Sequence, residues 1–234
     1  MQRHGVHCLL MGGQACVFYG AAEFSRDVDF AVLADARNLC RLQFALEDLK
    51  AQVIAVPAFQ ESYLLQGLAV HFRCQAPGVE GLRVDVMTVM RGVDPFPLLW
   101  ERRTTLALVG FEANLLSLPD LVKAKKTQRP KDWPMVQRLL EAHWFQNQTS
   151  PTPARIDFWL RECRTPELLV DIAGRFPVAA DRLQALRPAL AAALQNDIET
   201  TEHALDQERL AEMAADKAYW APLRQELERL RHLQ

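Results

Sequence analysis

Residues 9–33 read LLMGGQACVFYGAAEFSRDVDFAVL, and the rest of the chain is most simply read as support for them. A Gly12-Gly13 pair precedes a short apolar run long enough for two helical turns, and Asp27-Val28-Asp29-Phe30 then leads into Ala31-Val32-Leu33. Successive side chains of a strand alternate between its faces. Asp27, Asp29, Ala31 and Leu33 therefore share one face, and Val28, Phe30 and Val32 the other. Carboxylates that close repel, and each has its pKa raised unless a cation or donor lies between them. A divalent metal with oxygen ligands meets that need economically. The glycines supply the other half: they let backbone N–H groups approach a ligand, and a helix that begins beside them turns its positive end toward phosphate. Phosphate cradle and metal carboxylates together suggest a nucleoside triphosphate site.

Thirteen residues, Gln14 to Arg26, separate the glycine pair from Asp27. In that spacing the stretch resembles the nucleotidyltransferase superfamily related to DNA polymerase beta, whose motif is an apolar residue, Gly, Gly or Ser, a short spacer, then Asp-x-Asp or Asp-x-Glu between apolar residues. A third acid stands in Leu82-Arg83-Val84-Asp85-Val86-Met87, where alternation with valines marks an interior strand position. A charge there is costly unless paired or metal-bound. Two readings stand: an ion pair with Arg83 or Arg73, or the third carboxylate that the resemblance implies. Asp94, before a proline, reads as loop.

The resemblance covers about residues 8–140 and implies an N-terminal nucleotidyltransferase domain with a small mixed sheet, taken over residues 1–145. Composition and helical pattern add a linker at 146–153 and a C-terminal helical bundle over 154–234, an α/β (α+β) fold in all. The resemblance implies that Asp27, Asp29 and Asp85 hold Mg2+, or Mn2+, and carry the catalysis. Gly12 and Gly13 would hold the β and γ phosphates through backbone N–H groups, with Ser25 and Arg26 as side-chain contacts. Nucleotide is expected in the cleft between the domains.

A second likeness lies in LLSLPDLVKAKKTQRPKDWPMVQRLLE. Lys125, Arg129, Lys131 and Asp132 match a pattern of bacterial abortive-infection nucleotidyltransferases, a helical lysine followed by Arg-x-Lys-Asp. The three cations would screen the triphosphate. Those families usually place an acid a few residues on; Met135 and Val136 stand there instead.

Composition sets the bounds. With 234 residues, half of them hydrophobic, the chain can bury a sizeable core in one or two domains. Its net charge of -2 gives no global basic field for nucleic acid. Only residues 101–150 are locally basic, with 8 Lys and Arg against 5 Asp and Glu. The five cysteines are scattered and mostly apolar in context, which reads as reduced thiols of a cytoplasmic protein. No apolar run approaches a membrane span, no leader pattern precedes Gly12, and His4 and His7 read as incidental.

Along the chain, Asp35 is placed to cap a helix with Leu39, Leu42, Leu46 and Leu49 on one side. Strands are expected at 52–56, 69–74, 82–89 and 104–109, with Tyr63 in a proline-containing loop and a short helix within 91–103. Ser117 or Asp120 should cap a helix bearing Lys123, Lys125 and Lys126, and another should carry Val136, Leu139 and Leu140. After QNQTSPTP the pattern is helical over 155–163, 166–175, 179–194, 201–215 and 219–233.

These readings converge on Mg2+-dependent transfer of a nucleoside monophosphate from a nucleoside triphosphate to an acceptor hydroxyl. The acceptor classes are RNA such as a tRNA end, protein, or a small molecule of aminoglycoside type, which the acidic C-terminal half would attract. The resemblance implies a toxin–antitoxin or phage-defence setting with a cognate toxin or antitoxin partner. The alternative is a catalytically silent nucleotide-binding or antitoxin module of the same fold. A hydrolase lacks support: there is no Gly-x-Ser-x-Gly, His-Glu-x-x-His or Cys-x-x-Cys.

Overall fold

In a computed structural model, which describes residues 1–233, the chain is a mixed α/β protein with an N-terminal mixed sheet and C-terminal helices. It divides into two compact units. The first comprises Met1–Phe18, Ala22–Ala124 and the stretch from Ala218 onward; the second comprises Tyr19–Ala21 and Lys125–Lys217.

The first unit is built on seven strands: β1 (Cys8–Met11), β2 (Asp27–Val32), β3 (Gln52–Val53), β4 (Val70–Arg73), β5 (Arg83–Met87), β6 (Thr104–Leu108) and β7 (Phe111–Leu115). Their order is β3-β4-β5-β2-β1-β7-β6, with β2 parallel to β5, β1 parallel to β7, and the other pairs antiparallel. Helices α1 (Gly12–Phe18), α2 (Ala36–Asp48), α3 (Glu61–Leu65), α4 (Phe96–Glu101) and α5 (Leu118–Lys125) follow in chain order.

The α2 helix forms as its spacing predicts. The Asp35 side chain accepts from Asn38 N–H at its start, and Leu39, Leu42, Ala45 and Leu46 are buried. They pack against Cys8, Val32, Val70, Phe72, Val84 and Val86, one apolar face of the sheet. Each such leucine contributes about 1.5–3 kcal/mol by leaving water. Asn38 is the polar exception under this layer: its Oδ1 accepts His7 N–H at 2.7 Å, and its Nδ2 donates to the carbonyls of His7 (3.0 Å) and Leu33 (2.8 Å). With its apolar face covered, the sheet can carry the alternate residues of β2 and β5 on the other side.

Several elements differ from expectation. The ladder in 52–56 is confined to Gln52–Val53, and Tyr63 lies in α3 rather than in a loop. Strand β7 was not expected, yet it forms a hairpin with β6 through Val109 and Gly110, where φ is +81°. Glycine meets that left-handed requirement without a Cβ penalty.

The second unit is helical, with α6 (Trp133–Asn147), α7 (Pro153–Glu162), α8 (Pro166–Arg175), α9 (Pro177–Gln184), α10 (Ala189–Leu194) and the greater part of α11 (Ile198–Arg231). Thr152 caps α7 by accepting from Arg155 N–H, and Pro153 begins it, so QNQTSPTP works as a stop and a start. The helix expected over 179–194 breaks between α9 and α10, where Pro188 can donate no hydrogen bond. Conversely, 201–215 and 219–233 are one helix, because Ala215-Asp216-Lys217-Ala218 contains no breaker and Pro222 is accommodated inside α11. Among the described residues, no helix is long and apolar enough to cross a membrane.

Candidate active site

The Gly12-Gly13 turn ends β1 and opens α1. Gly12 has φ +65°, and a Cβ built there would lie 2.5 Å from Asp29 Cγ and 2.8 Å from Asp29 Cβ, nearer still to Oδ2. Gly13 is equally confined, since its Cβ would fall 2.9 Å from Ser25 Cβ and nearer to Oγ. The segment before β2 is tied to the same turn. Ser25 Oγ donates to the Asp27 carbonyl at 3.1 Å, and Gln14 Nε2 donates to the Ser25 carbonyl at 2.9 Å. Both glycines are thus required by close approach, one to Asp29 and one to Ser25. Arg26, between Ser25 and Asp27, is exposed.

The acids come together through strand register. Parallel pairing of β2 with β5 sets Asp27 opposite Arg83 and Asp29 opposite Asp85, while antiparallel pairing of β4 sets His71 opposite Asp85. Residues in register share a face of the sheet. Asp27, Asp29, Asp85, Arg83 and His71 therefore stand on the face away from the α2 core. Asp85 is on an inner strand with its side chain 16% exposed, as the alternation around it predicts.

A cation does sit among these carboxylates, and it is Arg83. Its Nε donates to Asp85 Oδ1 at 2.9 Å, and its Nη2 lies 3.1 Å from His71 Nδ1; that same nitrogen is 2.9 Å from Asp85 Oδ1. The hydrogen bond to Asp85 outweighs burial and holds the guanidinium pKa above its ordinary value, with the charges of Asp85, Asp27 and Asp29 adding to it. Burial pushes the Asp85 carboxyl up, but hydrogen bonds from His71 and Arg83 and their charges together hold it below the usual carboxylate range. Of the two readings of Asp85, the ion pair with Arg83 is present; Arg73 stands opposite Arg83 on the same face, one rung farther along than His71, which is the residue opposite Asp85.

For a divalent metal the donor type fits, since Asp27, Asp29 and Asp85 offer carboxylate oxygens on one face. Among the described residues no three acidic, histidine or cysteine side chains are gathered into a ready-made cage. Arg83 instead pairs with one of the three acids, and His71 Nδ1 lies against the same oxygen. Sequence reasoning missed His71, which belongs to no motif; its position opposite Asp85 follows only from the β4–β5 register.

The remaining candidates lie in the second unit, where Lys125 and Arg129 converge on Asp132, which is buried. Arg129 Nε donates to Asp132 Oδ2 at 2.8 Å, Thr127 Oγ1 donates to the same oxygen at 2.6 Å, and Lys125 Nζ is 3.5 Å from Oδ1. Trp133 Nε1 closes the turn on the Thr127 carbonyl at 2.9 Å. Lys125 and Arg129 thus serve a buried carboxylate, while Lys131 is exposed. Compared with protein-family models and with curated protein sequences, the chain finds no match.

Proposed function

We propose that this chain is a Mg2+-dependent nucleotidyltransferase, related to the DNA polymerase beta superfamily, that transfers a nucleoside monophosphate to an acceptor hydroxyl. The observation that carries the reading is the lock between Gly12 and Asp29: the turn suited to phosphate and the strand acid suited to metal are built against each other with no room for a side chain. Register adds Asp85 beside Asp29.

In this reading Asp27 and Asp29, with Asp85 beside them, would hold Mg2+, which when bound neutralises charge on the triphosphate oxygens. Gly12 and Gly13 present backbone N–H groups to the phosphates, and Ser25 and Arg26 contact the same groups. The acceptor oxygen bonds to the α phosphorus as the bond to pyrophosphate breaks. Asp85 either completes the metal site or takes the acceptor's proton, a transfer that the hydrogen bonds of Arg83 and His71 oppose by holding its pKa low.

A second reading has its own support. Arg83 already supplies a positive charge to Asp85, which suits a silent nucleotide-binding or antitoxin module as well. The test is calorimetric titration of ATP, CTP, GTP and UTP, with and without Mg2+, into the wild type and the folded double variant Asp27→Asn, Asp29→Asn. Metal-dependent binding lost in the variant supports the site, and no binding of any nucleotide overturns it. Pyrophosphate release with tRNA, protein or aminoglycoside offered as acceptor separates the enzyme, in a toxin–antitoxin or defence role, from the silent module.

A further inference from the structure

The second unit carries a cleft of about 570 Å3. Its wall is formed by the end of α7, the turn after it, the break between α9 and α10, and one side of α11. Two guanidiniums are buried there and share one carboxylate: Arg164 Nη1 donates to Glu208 Oε2 at 2.5 Å, and Arg187 donates to Glu208 through Nε (3.1 Å) and Nη2 (3.0 Å). Arg187 is otherwise satisfied, giving further hydrogen bonds to the carbonyls of Leu160 at 2.7 Å and Cys163 at 2.6 Å.

Arg164 is not satisfied. Its side chain is only 9% exposed, its Nε has no hydrogen-bond partner in the protein, and its Nη2 is 3.9 Å from Glu162 Oε2, beyond hydrogen-bond reach. Glu162 Oε2 is likewise buried without a hydrogen-bond partner, although Lys126 Nζ stands 2.6 Å from it as an ion pair. Arginine carries five N–H donors, and a buried donor left without an acceptor is costly. Burial and the charge of Arg187 push the Arg164 guanidinium below its ordinary pKa, against the opposing charges of Glu208, Glu162 and Glu212. Arg161 adds another cation to the wall, where Glu212 is the third acid, and Leu183, Leu186 and Pro188 give it an apolar side.

We infer that this cleft binds a small organic oxyanion, its carboxylate or phosphate head on Arg164 and Arg161 and its body against Leu183, Leu186 and Pro188. Guanidinium forks suit both head groups. The oxyanion supplies the acceptor that Arg164 Nη2 lacks; Nε is enclosed by protein and is not reached.

The test is thermal unfolding of the full chain in increasing inorganic phosphate or benzoate, with ionic strength held constant by sodium chloride. A saturable rise in Tm is expected with at least one probe: phosphate alone marks a phosphate head, benzoate alone a carboxylate head. The rise should vanish in Arg164→Gln. It should also vanish in Ala211→Trp, which fills the cleft from an exposed position of α11 and keeps every charge. The Asp27→Asn, Asp29→Asn variant should respond as the wild type does, which separates this site from the proposed nucleotide site. No saturable rise with either probe, or an equal rise in Ala211→Trp, overturns the proposal, and Ala211→Trp decides it if Arg164→Gln fails to fold.

Discussion

The Asp29 carboxylate occupies the space where a side chain on residue 12 would have to begin. Two costs therefore add at Gly12, the left-handed backbone and the collision. Gly78 separates them, since it has φ +85° with nothing within 4 Å of a built Cβ. Gly78→Ala is expected to cost about 1–2 kcal/mol for the backbone alone. Gly12→Ala should add about 1–3 kcal/mol of overpacking to that. Urea unfolding of both variants measures the difference, and equal losses would mean that Asp29 moves aside freely.

Arg102 and Asp120 make another ion pair with a buried partner. Nε and Nη2 of Arg102 each donate to a separate Asp120 oxygen at 2.7 Å, and Ser117 Oγ donates to Asp120 Oδ2 at 2.6 Å. Asp120 is 1% exposed, so Arg102→Met should leave a buried, uncompensated charge at a cost of about 3 kcal/mol or more. Asp94 meets the same guanidinium on its exposed side. Asp94→Asn should therefore cost far less than Arg102→Met, since solvent screens the exposed pair. Chemical denaturation at neutral pH compares the two.

The pH dependence of stability follows from Asp85. Burial acts to raise its pKa, but the hydrogen bonds and charges of His71 and Arg83 prevail and the folded value lies below the unfolded one. Its contribution is therefore fully present above the unfolded carboxylate value, about pH 4. It disappears as the pH falls through the lower folded value. Arg83→Met removes one of these donors, so its stability should fall less steeply below about pH 4 than that of the wild type. Denaturant midpoints between pH 6 and pH 2 give the comparison.

Thiol chemistry offers a fourth check. Cys40 is exposed, whereas Cys8, Cys16, Cys74 and Cys163 are buried. Burial pushes the Cys8 thiol up to about 12 against the pull of the N-terminal charge, and pushes Cys163 up to about 11. Nucleophilic attack needs the thiolate. At pH 8 a disulfide reagent should titrate one thiol rapidly in the native protein and all five after unfolding in guanidinium.

What was legible in the residues was what local order controls. Asp35 announces α2 because its carboxylate caps a free N–H group of the first turn, and alternation of acids with apolar residues announces β2 and β5, in β5 with the valines buried and the residues between them half-buried. The β7 strand was hidden because Phe-Glu-Ala-Asn-Leu mixes apolar and polar residues without a clean period. Its pairing comes from the β6 hairpin and from the Leu10–Leu115 contact with β1. The same holds at the candidate site. Gly12, Asp27 and Asp29 lie close in the chain and could be read together, whereas His71 reaches Asp85 only through inter-strand register. Arg83, two residues from Asp85 on the same strand face, could be read as its counterion, but not as a cation that also feels Asp27 and Asp29.

Asn38 has a consequence for how the sheet finds its alignment. Beyond the last rung of the β1–β2 ladder, Cys8 against Val32, its amide grips the backbone of His7 and the Leu33 carbonyl at once. A slip of one residue between the strands would turn one of these groups away and strand a buried amide without partners. Asn38 therefore works as a vernier. A helix that docks on the apolar face checks, with a single polar side chain, that the strand leading into Gly12 and the strand bearing Asp29 have met in the correct phase.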